Sequence, residues 1–126
     1  MMIVDKALAR REAEGNPIRV AVIGAGFQGA AIVRQIVRST PGMVVAGVAN
    51  RHGEAARRAF ADLGIDPVMA EGQGAIEQAV RDGAPLATED ALALARADGI
   101  DVVVEVTGSI EYAAQVILAA IEAGKH

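Results

Sequence analysis

Residues 18–29 read Ile18-Arg19-Val20-Ala21-Val22-Ile23-Gly24-Ala25-Gly26-Phe27-Gln28-Gly29, an apolar stretch of β type that breaks into a G-x-G-x-x-G turn and then opens a helical pattern. No other segment restricts the fold as strongly, because each glycine answers a separate steric demand. Gly24 permits a tight turn out of the strand, Gly26 lets backbone approach an anion with no Cβ between them, and Gly29 lets the helix pack close to the sheet. The N–H groups at the helix start then point outward, where the helix dipole favours negative charge. In a chain with 14 glycines the pattern alone would say little. Set between a strand and a helix, it predicts a site for the pyrophosphate of a dinucleotide.

The rest of the chain alternates between the two periodicities. Ile32, Val33, Ile36 and Val37 recur at helical spacing over 27–38, and Ser39-Thr40-Pro41-Gly42 ends that helix. Met43 to Ala49 is a continuous apolar run, as a parallel strand buried on both faces requires. A helix over 53–63 turns Ala55, Ala56, Ala59, Phe60 and Leu63 inward, leaves Glu54, Arg57 and Arg58 mostly to solvent, and takes Gly64 as its C-cap. The stretch 64–84 is the least regular: a loop flanked by Gly72 and Gly74, a helix over 74–82, and a stop at Asp82-Gly83-Ala84-Pro85. A short strand over 86–88 follows, with Thr88 as the N-cap of a helix over 89–97. Ile100 to Val106 forms the last strand, Thr107-Gly108-Ser109 a second glycine turn, and 110–123 a helix ending at Gly124. Ahead of all this, residues 2–14 set Ile3, Val4, Ala7 and Leu8 on one side of a helix that stops at Gly15-Asn16-Pro17 and packs on the domain's flank.

This alternation predicts an α/β fold of Rossmann type, a parallel sheet of order 3-2-1-4 with flanking helices. Residues 1–17 form an N-terminal helix and linker, and 18–126 the dinucleotide-binding domain. Both glycine turns fall at the carboxyl ends of strands one and four, where the crossovers diverge and a crevice opens. Gly124-Lys125-His126 follows a helix C-cap where a further strand is due, so the chain reads as a piece of a larger enzyme, truncated before the later strands and a substrate domain.

Composition narrows the classes of partner. The chain is 52% hydrophobic and 22% charged, with 12 Lys+Arg against 16 Asp+Glu and a net charge of −4, so neither nucleic acid nor an anionic membrane surface is attracted in general. Phe27, Phe60 and Tyr112 are its only Phe, Tyr or Trp residues, which leaves no stacking platform for single-stranded nucleic acid. The absence of cysteine removes disulfides and thiolate chemistry and suits a reducing cytoplasm. Asp5, Lys6, Arg10 and Arg11 interrupt the N-terminus, so it lacks a signal peptide's apolar core, and no apolar run approaches the roughly 18–20 residues of a membrane span. A cytoplasmic protein is expected.

Cofactor choice turns on the residues after strand two. An NAD or FAD site usually presents Asp or Glu there to the ribose hydroxyls, whereas this chain has Asn50-Arg51-His52. A guanidinium pairs with the 2′-phosphate that a carboxylate would repel, so NADP(H) is favoured over NAD(H). Thr107, Gly108 and Ser109 are placed to contact the pyrophosphate or the nicotinamide ribose, with Ser109 also the N-cap of the last helix. Gln28 lies in the first turn, where its backbone matters more than its side chain. Glu105 is read as a structural carboxylate bonded to a nearby loop rather than an acid–base group. Lys125 answers the negative end of the helix dipole. His52 and His126, the only histidines, have no third ligand at metal spacing. No catalytic residue stands out. A nucleotide-sensing domain is the non-enzymatic alternative, but the chain shows no basic face and no helix-turn-helix.

Taken together, Val22 to Gly29, Ser39 to Met43, Val48-Ala49-Asn50-Arg51, Glu105 to Tyr112 and Ala123-Gly124-Lys125-His126 resemble the homoserine dehydrogenase-like oxidoreductases. The resemblance is greatest to the subgroup with a C-terminal SAF domain, which includes the 1-deoxy-D-xylulose 5-phosphate reductoisomerase-like enzymes. Sugar dehydrogenases of the Gfo/Idh/MocA type share the early pattern. The resemblance implies NADP-linked hydride transfer to or from a small hydroxy or oxo substrate, a cytoplasmic homo-oligomer, and a substrate domain beyond residue 126 that holds the catalytic residues. On its own the present chain would then be inactive. The cofactor positions it implies are Gly24, Gly26, Phe27, Gln28, Gly29, Asn50, Arg51, Thr107 and Gly108.

Overall fold

The structure, a computed structural model, describes residues 3–126. In chain order the elements are α1 (Ile3–Ala13), β1 (Ile18–Ile23), α2 (Phe27–Ser39), β2 (Met43–Ala49), α3 (Gly53–Ala61), β3 (Val68–Met69), α4 (Gln73–Arg81), β4 (Leu86–Thr88), α5 (Ala91–Arg96), β5 (Val102–Glu105) and α6 (Ile110–Glu122). The strands form one parallel sheet of order β3-β4-β2-β1-β5. The four expected strands correspond to β1, β2, β4 and β5, and they take the expected neighbour order.

Alternation along β1 sends successive side chains to opposite faces of the sheet. Val20 and Val22 join Val33 and Ile36 of α2 and Ala56, Ala59 and Phe60 of α3 in one cluster. Ala21 and Ile23 join Ile76 of α4, Leu94 of α5 and Val116 of α6 in another. A sheet covered on both faces explains why β1, an interior strand between β2 and β5, is apolar at nearly every position.

Three local expectations need correction. The sheet carries an additional edge strand, β3, within the irregular stretch 64–84, where no strand was expected. Val68 and Met69 are both exposed, and two residues are too few to display an alternation; the strand is held by backbone bonds, Val68 N–H donating to Pro85 O (2.8 Å) and Ala70 N–H to Ala87 O (3.1 Å). Second, β2 is buried on both faces only toward its carboxyl end. Its partner β4 spans three residues and pairs with Gly47, Val48 and Ala49, which leaves Val44 exposed at the amino end. Third, Thr88 does not cap α5. It is the fully buried last residue of β4, and its Oγ1 accepts from Asp90 N–H (3.0 Å), while Asp90 sits at the N-cap and accepts from Ala93 N–H through Oδ1 (3.1 Å). Asp is the better cap here because its short carboxylate reaches the third amide of the helix.

At the other end of the sheet α1 lies along the turn before β2. An ideal Cβ on Gly42 would stand 2.0 Å from Leu8 O, so only glycine allows that approach. Leu8 is half-buried and Ala7 exposed, while the side chains of Ile3 and Val4 lie outside the described residues, as does Met2. No helix among the described residues is long and apolar enough to cross a membrane.

Candidate dinucleotide site

The two outer glycines of the turn are required by the fold itself. Gly24 has φ +109°, and an ideal Cβ there would meet Val106 C and O at 3.0 Å, where β1 and the exit of β5 converge. On Gly29 a Cβ would fall 1.9 Å from Gly24 O. Gly26 differs from both. Its φ of −72° is open to any residue, and a Cβ there would meet nothing within 4 Å. The protein's own packing therefore does not demand glycine at 26, whereas an anion lying against the backbone would.

The amides bear this out in part. The first helical bond of α2 runs from Ala30 N–H to Gly26 O (2.9 Å), so the N–H groups of Gly26, Phe27, Gln28 and Gly29 have no acceptor among the described residues. No acidic residue stands in the first turn of α2. The Ala25 amide, by contrast, is not free: it donates to Asn50 Oδ1 (3.0 Å), and Asn50 Nδ2 donates onward to His52 O (3.2 Å). Asn50 is thus a strut tying the glycine turn to the exit of β2, a role that only the pairing of two loops reveals. Asn50→Ala is expected to leave a partly buried N–H unpaired and to cost about 1–2 kcal/mol, read as a lower urea midpoint. Nucleotide affinity should fall with it as the turn loosens.

Gly24, Gly26, Asn50, Arg51, Thr107 and Gly108 line one cleft of 440 Å³ at the carboxyl ends of β1, β2 and β5, together with His52, Val106, Ser109 and Tyr112. Of the expected site residues, Gly29 is buried beneath the turn, Gln28 is exposed outside the cleft, and Phe27, 93% exposed, borders a neighbouring hollow between α2 and α3. A larger hollow of 620 Å³, lined by residues that include Ser39, Thr40 and Val44, gathers none of the turn residues.

At the second glycine turn most amides are already used. Glu105 Oε1 accepts from Thr107 N–H (2.8 Å) and Thr107 Oγ1 from Ser109 N–H (3.3 Å). Glu105 therefore behaves as the structural carboxylate expected of it. Ser109 stands at the N-cap of α6 but its side chain makes no capping bond, contrary to the simplest reading of that residue. Tyr112, to which sequence reasoning gave no role, enters the cleft from the first turn of α6. Its phenol pKa is raised, chiefly by burial and then by the charge of Asp90, with Arg51 opposing and Glu105 adding to the shift.

A central glycine turn with unpaired helix-start amides, set at a crevice where strands diverge, defines a dinucleotide-binding domain. Solved structures similar to it include myo-inositol dehydrogenase from Lactobacillus casei in complex with NAD(H) and myo-inositol (TM-score 0.63, 24% identity, 86% of this chain and 26% of that one) and an NAD binding oxidoreductase from Klebsiella pneumoniae (TM-score 0.55, 22% identity, 87% and 26%). At such identities the likeness is one of fold. The sequence profile described as "Homoserine dehydrogenase, NAD binding domain" matches residues 24–126, and the chain belongs to that family. A homoserine dehydrogenase from Corynebacterium glutamicum is 58% identical over 40 residues, which is 32% of this chain and 9% of the relative. The chain thus corresponds to a small part of the relatives it matches.

Proposed function

We propose that the chain is the NADP(H)-binding part of a homoserine dehydrogenase-like oxidoreductase, in which hydride passes between the nicotinamide and a small hydroxy or oxo substrate held by a further domain. The nicotinamide supplies the hydride chemistry, and the residues described here bind and orient it. Gly26 and the amides of Phe27 and Gln28 would hold the pyrophosphate, and Gly108 the half of the nucleotide that lies toward β5. The SAF-domain subgroup is the class of parent that the sequence segments favour.

One observation carries the preference for the 2′-phosphate. Arg51 is exposed on the cleft directly after β2, and no carboxylate stands at 50–52 to accept the ribose hydroxyls. The carboxylate of Glu89, on the next exit, is committed to Gly53 N–H (2.8 Å). A guanidinium at that place favours the extra phosphate of NADPH, whereas NADH gains nothing from it. Calorimetric titration of both nucleotides into the chain should therefore show NADPH binding more tightly. Arg51→Ala is expected to remove about 1.5–3 kcal/mol from NADPH binding and little from NADH. Equal losses for the two would assign Arg51 to solvent and return the domain to NAD(H), the nucleotide named for the family and for both solved structures.

A further inference from the structure

Tyr112 is buried on one side and open on the other. Its ring packs against the cluster that α4, α5 and α6 form on the sheet, while it also lines the cleft. Neither capping nor core hydrogen bonding explains it, because the N-cap position of α6 is Ser109 and the Tyr112 hydroxyl has no hydrogen-bond partner among the described residues.

The groups around it fix which half of the cleft it serves. The sheet order places the exits of β2 and then β4 on one side of the glycine turn and β5 on the other. Tyr112 stands on the helix after β5, yet it shares the lining of the cleft with Asn50, Arg51 and His52 from the exit of β2, and the charges of Arg51 and of Asp90, which follows β4, both reach its phenol. Helices α5 and α6 are packed together, which lets the side chain reach across. In a fold of this kind the residues after strand two face the adenosine ribose. The two carboxylates near the phenol are otherwise engaged, Asp90 with Ala93 N–H and Glu105 with Thr107 N–H.

We infer that Tyr112 is the adenine-positioning residue of this domain, its ring forming the apolar floor on which the base lies while Arg51 takes the ribose phosphate above the exit of β2. The inference rests on the nucleotide-binding reading given above and adds to it the residue that recognises the base. A flat ring seated on the core loses little freedom when a base covers it, which suits a stacking surface.

The chain reports on this residue by itself, since it contains one tyrosine and no tryptophan. Adding ADP-ribose or AMP to the whole chain should change tyrosine emission saturably and shield it from acrylamide, while nicotinamide mononucleotide at equal occupancy should not. By calorimetry Tyr112→Ala should weaken both adenine nucleotides roughly 5- to 30-fold. Tyr112→Phe should bind within about threefold of the parent, because the ring and not the hydroxyl carries the contact. Calorimetric binding of ADP-ribose with tyrosine emission and acrylamide access unchanged would overturn the assignment and leave the nucleotide site standing. So would an equal response to nicotinamide mononucleotide. No calorimetric binding of any nucleotide would instead overturn the functional reading itself.

Discussion

Gly29→Ala is expected to lower stability by about 3 kcal/mol and to abolish measurable NADPH binding. The added Cβ would stand 1.9 Å from Gly24 O, against the 3.4 Å at which ordinary contact begins, and the obstacle is backbone rather than the end of a flexible side chain. Either α2 retreats from the sheet or the turn is forced open. Both displace the amides of Gly26, Phe27 and Gln28 together. Gly26→Ala supplies the control, because its Cβ would enter empty space. That variant should melt within about 0.5 kcal/mol of the parent and yet bind nucleotide weakly, the methyl occupying the space of the phosphate. Urea denaturation and calorimetric titration of both variants check the pair. A Gly29→Ala chain that melts and binds like the parent would contradict the close helix–turn packing on which the site is built.

Phe60→Ala should be comparably destabilising, by about 3–5 kcal/mol, for an unrelated reason. Phe60 is 1% exposed and is among the largest fully buried side chains, wedged between α3 and the sheet face that carries Val20, Val22 and Val48. With few aromatic residues in the chain, no neighbour of similar size can fill the cavity its removal leaves. It does not line the nucleotide cleft. The fraction of the variant that remains folded at low temperature should therefore bind NADPH with the parent's affinity. The urea midpoint and a titration under folding conditions separate the two effects: Gly29→Ala loses both properties, Phe60→Ala only one.

Much of this architecture was legible because the physics that sets it is local. The apolar run of β1, the glycines that follow and the helical recurrence of Ile32, Val33 and Ile36 each carry their own signal, and the helix boundaries lie within about two residues of expectation. The features that escaped are those that depend on partners distant in the chain. The strand at Val68–Met69 exists because Pro85 and Ala87 offer carbonyls to it, and nothing in two exposed residues announces that. Val44 is uncovered because β4 is short, a property of residues some forty positions away. Thr88 and Asp90 are both good capping residues, and only the end of β4 decides between them.

At the site the division is the same. Gly24, Gly26 and Gly29 were readable from spacing, but which of them the fold itself requires was not, since that depends on Val106 and on the path of α2. Asn50 was read for the missing carboxylate and, through the family resemblance, as a cofactor position, but not for its bond to Ala25 N–H, which spans 25 residues. Tyr112 offered one signal, a lone tyrosine in the first turn of the helix behind the second glycine turn. Its meaning depends on α5 lying beside α6.

The side-chain amide of Asn50 joins two loops that would otherwise be independent hinges, while the guanidinium next to it in sequence makes no hydrogen bond among the described residues. On the proposed reading of Arg51, coenzyme selectivity and mechanical integrity would reside in adjacent positions without sharing atoms. An engineer testing an exchange of one nicotinamide carrier for another would then vary residue 51 and leave the clasp at residue 50 shut.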